Sequence, residues 1–129
     1  MPENDKQPSV VAVTDDMFFS SRIREAAKAA EVGVEFIRGT DGFPDRYIAS
    51  SPRLFIVDLN SKKINAMDVI RMIKSTEALS GTPVIGYFSH VDTELRKRAI
   101  ESGYDAVMPR SKFVKDLGII LSDAARAVR

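Results

Sequence analysis

Cysteine is missing from this 129-residue chain, and tryptophan with it. The first absence excludes disulfides, thiolate nucleophiles and thiolate metal sites, and the single histidine cannot build a zinc site alone. An excess of one charge is lacking too. Nineteen Lys and Arg against eighteen Asp and Glu leave a formal charge of +1, so neither a field that gathers nucleic acid nor an acidic solvating tail is indicated. No stretch approaches the roughly 18 apolar residues of a membrane span, and the opening MPENDKQPS has no apolar segment of the kind a secretion signal carries. A Gly-rich strand-to-helix loop is absent as well. The turn at residues 14 to 19 reads TDDMFF, placing negative charge where a nucleotide or flavin phosphate would need backbone N–H groups and glycine. These exclusions leave a cytoplasmic chain that binds neither nucleic acid nor membrane, with residues 1 to 8 as a disordered tail and residues 9 to 129 as one domain.

What the chain does contain is an alternation of two periods. Apolar runs at Val10 to Val13, Leu54 to Val57 and Val84 to Phe88 read as strands, with an edge or half-covered strand at residues 34 to 38 and a brief fifth strand at residues 106 to 108. Between them, helical spacing puts Phe19, Ile23, Ala26, Ala27 and Ala30 on one face. The same spacing gives Ala66, Val69, Ile70 and Ile73, then Leu95 and Ala99, then Leu117, Ile120, Leu121, Ala124, Ala125 and Val128. Gly33 and Gly103 are the expected helix stops, Asp92 a helix cap, and residues 46 to 50 a short weak helix ended by Pro52. Five strands and five helices in strict alternation imply an α/β, flavodoxin-like doubly wound (βα)5 fold, with a five-stranded parallel sheet in the order 2-1-3-4-5.

In that order the first and third strands are neighbours at the switch point, and Asp15, Asp16 and Asp58 converge just past their carboxyl ends. Carboxylates that close repel one another unless a cation joins them. Mg²⁺ suits such a mouth, because it takes one or two carboxylates and keeps its remaining positions for water and phosphate oxygens. An Asp beside such a cation can attack phosphorus and form an acyl phosphate. Arg110, just after the fifth strand, is a candidate second cation. Helix capping competes with metal binding for Asp15 and Asp16, and one of the pair is expected to cap.

With these residues in place, the chain resembles a response-regulator receiver (CheY-like) domain from about Ser9 to Val128. Asp15 and Asp16 look like that family's metal-binding pair, Asp58 like its phosphoacceptor, and Asn60 like the position whose backbone carbonyl completes the Mg²⁺ site. The resemblance implies phosphoryl acceptance on Asp58 from a histidine kinase or phosphotransfer protein. It also implies a downstream protein met through the fourth and fifth strand-helix units, with pairing of two copies through the last unit as one form of contact. Three positions depart from the pattern. The family's Lys falls on Arg110, its hydroxyl on Phe88 with Ser89 one residue late, and its switch aromatic on Val107. Arg keeps the charge of Lys, but its planar fork needs more room.

The chain is therefore read as a stand-alone receiver-like switch that uses Asp58, Arg110 and Ser89, with a pseudo-receiver that binds protein without regard to phosphorylation as the alternative. A phosphatase is disfavoured, since no His, Cys or second catalytic carboxylate is positioned for turnover and position 60 is Asn rather than a second Asp. The chain is thus read as a signalling domain and not an enzyme. His90 reads as a loop or crevice-rim residue, residues 96 to 98 as a solvated helix face, and Phe19 as core. Phe18 is left to cover the crevice or meet a partner.

Overall fold

The computed structural model describes residues 9–89 and 92–126. The leading tail, His90 and Val128 lie outside the described residues. Strand β1 (Val10–Val13) is buried along its whole length and enters helix α1 (Met17–Ala30) through the cap Asp16. Strand β2 (Val34–Ile37) follows, half-buried at every position as an edge strand should be. Strand β3 (Leu54–Asp58), helix α2 (Ala66–Lys74), strand β4 (Val84–Phe88), helix α3 (Thr93–Ser102), strand β5 (Ala106–Pro109) and helix α4 (Arg110–Arg126) complete the chain. All pairings are parallel, in the order β2-β1-β3-β4-β5, the arrangement expected from the alternation. No helix among the described residues is long and apolar enough to cross a membrane.

Three boundaries differ from the sequence reading. The helix expected at residues 46 to 50 is a single 3-10 turn, Asp45–Tyr47. Tyr47 is driven inward there to pack edge-on against Phe43 and Phe55, and its hydroxyl donates to Glu35 on β2 at 2.7 Å. A short segment between Pro44 and Pro52 gains more from that anchor than from propagating a helix. Helix α1 stops at Glu31, not at Gly33. Glu31 adopts the left-handed conformation (φ 57°), and the next residue, Val32, is buried and donates its N–H to the Ala27 carbonyl. Burial of Val32 offsets the cost, of order 1–2 kcal/mol, of that conformation at a residue with a Cβ. Gly33 instead receives the N–H groups of Ser9 and Val10 at the entry to β1. Finally, α4 begins at Arg110, immediately after β5, so Phe113 joins Leu117, Leu121 and Ala124 on its buried face.

Two apolar layers sandwich the sheet. On one face Val11, Val13, Phe55, Val57 and Phe88 meet α2 and Ala99 of α3. On the other, Val10, Ala12, Ile56 and Tyr87 meet the buried faces of α1 and α4. The helix caps act as the side chains suggest: Asn65 accepts from the N–H groups of Met67 and Asp68, and Asp92 from that of Leu95. Gly86 lets Leu59 cross over β4, because a Cβ there would come within 2.9 Å of the Leu59 side chain. That passage carries the chain past Asp58 and fixes the carboxyl end of β3 beside β4, where Asp58 pairs in register with Tyr87.

Candidate functional site: an acidic crevice with an internal cation

Thr14 is the hub of the crevice. Its side chain is 1% exposed, and its hydroxyl has one proton to give and two lone pairs to fill. It donates to Asp58 Oδ2 at 3.4 Å and accepts from the Asp16 backbone N–H at 3.1 Å and from the Tyr87 hydroxyl at 3.1 Å. The hydroxyl capacity is thereby used in full. Sequence reasoning passed over both Thr14 and Tyr87. The one available signal was a polar residue directly ending the apolar run VVAV.

Asp58 stands where β3 ends, 6% exposed. Its Oδ1 accepts the Asn60 N–H at 2.9 Å, closing a local turn. Burial pushes the Asp58 carboxyl above the ordinary carboxylate range. The Asn60 and Thr14 donors pull the other way, and the neighbouring charges of Asp15 and Asp16 push it up further. Asp15 and Asp16 are thus electrostatic neighbours of Asp58, the convergence that the strand order predicted. Tyr87 is likewise pushed up, first by burial and then by the Asp58 charge. Its phenol stacks on Phe113 (centroids 5.3 Å apart, planes 13° apart) and packs against Phe19 at 4.5 Å.

Asp16 has two partners of its own. Oδ1 caps α1 through the Phe19 N–H at 3.0 Å, and Oδ2 receives the Arg110 guanidinium at 2.9 Å. The same guanidinium lies over the Phe19 ring, 4.6 Å from its centroid. Asp16 is therefore the member of the acidic pair that caps, and Arg110 is brought to the acidic cluster across 94 positions of sequence.

Comparison with protein-family models yields no match, and comparison with curated proteins yields none. Solved structures do match. The response regulator from Hahella chejuensis superposes with a TM-score of 0.79 at 18% identity, over 92% of this chain and 95% of that one. The phosphorylated cyanobacterial phytochrome response regulator RcpA gives 0.72 at 21% identity, over 91% and 90%. The Mn²⁺-bound form of response regulator Rcp1 gives 0.67 at 20% identity, over 95% and 97%. The chain has the receiver fold.

Within that receiver fold, the β4–β5 side of the crevice holds what the sequence places there. Phe88 is 7% exposed and belongs to the core on the α2–α3 face, a cluster that Leu95 and Val107 also pack against. Strand β4 stays in register with β5 through the pair Phe88–Pro109. Ser89 lies beyond that end, exposed, with its N–H donating to Asn60 Oδ1 at 2.6 Å. The side chain of Asn60 thus ties the β3 end to the β4 end, a role that its reading as a backbone-carbonyl donor did not include. An open groove of about 620 Å³ runs beside Phe88 and Ser89 to Pro109, Arg110 and Ser111. Phe19 is core and Phe18 is 72% exposed.

The resemblance implies Mg²⁺ held by Asp15, Asp16, Asp58 and Asn60. Among the described residues, no group of three or more His, Asp or Glu side chains is placed to hold a metal ion. Both Asp16 oxygens are engaged, one by the helix and one by Arg110, and both Asp58 oxygens accept hydrogen bonds. In this arrangement a divalent ion that used Asp16 Oδ2 would have to displace the Arg110 guanidinium.

Proposed function

We propose that this receiver-fold chain is a signalling module that acts by protein contact without a phosphorylation switch, in the manner of a pseudo-receiver. The observation that carries the reading is Phe88. A phosphorylation switch needs an element with two arrangements that the phosphoryl group biases, and a hydrogen-bonding side chain beside the acceptor is the usual means. Phe88 has no side-chain donor and is packed into the core, at the position where the resemblance would put such a hydroxyl. The nearby aliphatic Val107 has no ring or hydroxyl to follow it. Partner contact then falls to the surface around β4, β5 and the start of α4, whatever the state of Asp58.

The test is to incubate the chain with Mg²⁺ and a small phosphodonor such as acetyl phosphate, with beryllofluoride as a separate probe, and to record intact mass and amide spectra. The expected result is an unchanged spectrum from β4 through the start of α4. An aspartyl phosphate that disappears in Asp58→Ala, accompanied by shifts at Ser89, Met108 and Arg110, overturns it.

A second reading has one observation in its favour. Asp58 keeps the strand-end position beside Asp15 and Asp16 that a phosphoacceptor would need. On this reading Asp58 takes a phosphoryl group from a histidine kinase or phosphotransfer protein in the presence of Mg²⁺, and Arg110 first has to release Asp16. A mass gain lost in Asp58→Ala, with no spectral change beyond the crevice, supports this second reading over the first.

A further inference from the structure

Three carboxyl groups share one mouth, and one guanidinium reaches them. The Arg110 guanidinium meets Asp16 Oδ2 at 2.9 Å, and each end of the pair is separately held. Asp16 is fixed by capping α1 through its other oxygen, and its carbonyl accepts from the Ser20 N–H and hydroxyl. Arg110 is fixed by opening α4 directly after Pro109 and by stacking on Phe19. Both side chains are about two-thirds covered, at 31% and 29% exposure. The pair is therefore less screened than a surface ion pair, and little side-chain freedom remains to be lost when it forms.

We infer that Arg110 is the resident cation of the crevice, holding Asp16 in the place of a divalent metal ion and clamping the β5–α4 junction to the β1–α1 junction. A metal ion that used Asp16 would bring two positive groups onto one carboxylate, and their mutual repulsion adds to the cost of stripping water from the ion. The inference rests on the pseudo-receiver reading in that it explains how the acidic mouth persists without a metal-dependent step. It also goes further, because it predicts that the metal site is latent and that one side chain closes it.

The test uses Mn²⁺ alone, with no phosphodonor in any arm, on the full chain and on Arg110→Met, which keeps an apolar stem against Phe19 but carries no charge. Binding is read by paramagnetic broadening of the amide signals of Asp16, Asp58 and Asn60, and by the thermal midpoint. The parent chain is expected to show no broadening at these amides beyond that of its general surface and no Mn²⁺-dependent rise in midpoint. Arg110→Met is expected to bind Mn²⁺ at least about tenfold more tightly, to gain thermal stability with it, and to lose both effects when Asp16→Asn is added. Arg110→Lys guards against a folding defect in the Met variant. It keeps the charge without the planar stack, and its affinity is expected to fall between the other two. Mn²⁺ binding by the parent chain as tight as by Arg110→Met overturns the inference, as does parent-chain binding that Asp16→Asn abolishes. Those results would leave the argument from Phe88 standing, whereas phosphodonor-driven shifts would remove that argument and leave this one.

Discussion

On the β1–β3 side of the crevice, polar atoms answer one another: Thr14 donates to Asp58, the backbone N–H groups of Asn60 and Asp16 donate to the same two side chains, and the Tyr87 hydroxyl reaches in from β4 to donate to Thr14. On the β4–β5 side, Phe88 fills space with carbon, Val107 packs against the same core and one guanidinium reaches across to Asp16. The first side holds charge by satisfying it, and the second holds shape by packing. Holding charge and reporting a change in it are thus separable in this fold. On the pseudo-receiver reading, the acids keep their positions while Phe88 and Val107 belong to the core on the α2–α3 face.

The largest effect should come from the packed side. Phe88→Ala is expected to cost about 3 kcal/mol of stability, the usual scale for emptying a buried aromatic position, measured by urea unfolding. A change close to zero would show that Phe88 is not core and would erase the contrast. On the polar side, Thr14→Val keeps the shape but strands the Tyr87 hydroxyl and the Asp16 N–H, and should cost about 2 kcal/mol. Tyr87→Phe removes only the hydroxyl and leaves the stack with Phe113 in place, so about 1 kcal/mol is expected. The two variants together should then cost less than their sum, because they break the same hydrogen bond. If Tyr87→Phe were the costlier of the two, Thr14 would not be the hub.

The smallest effect has the opposite sign. Asp58 holds its proton more tightly in the folded than in the unfolded chain, chiefly because it is buried. The native state therefore binds more protons between the ordinary carboxylate pKa and the raised one, and stability falls as pH rises through that window. Asp58→Asn should raise the thermal midpoint by a few degrees at neutral pH and flatten that part of the stability profile. A lower midpoint at neutral pH would mean that the ionised carboxylate is better satisfied than its burial implies.

Much of this architecture was legible from local pattern. Apolar runs four or five residues long, helical stripes and the caps Asn65 and Asp92 all act through near neighbours, and the parallel order follows from alternation and handedness. The convergence of Asp15, Asp16 and Asp58 followed from that order. The misplaced boundaries have a common cause, since in each of them a tertiary contact outweighed a local preference. Tyr87 was read as simply another strand residue because its partner Thr14 lies 73 positions away. Arg110 was read as a candidate cation for a phosphoryl group because nothing in its neighbours along the chain indicates Asp16 or Phe19.

By itself the sequence determined the doubly wound sheet, the acids at its switch point and the apolar side chains at Phe88 and Val107. These depend on residue type and on periods of two and 3.6, which the chain carries locally. Only the tertiary structure decided that the crevice is balanced by its own arginine and wired through Thr14 to a buried tyrosine. Hydrogen bonds and ion pairs act over a few ångströms in space, and the distance between Asp16 and Arg110 exists only once β1 and β5, with the helices that follow them, have been folded onto one sheet.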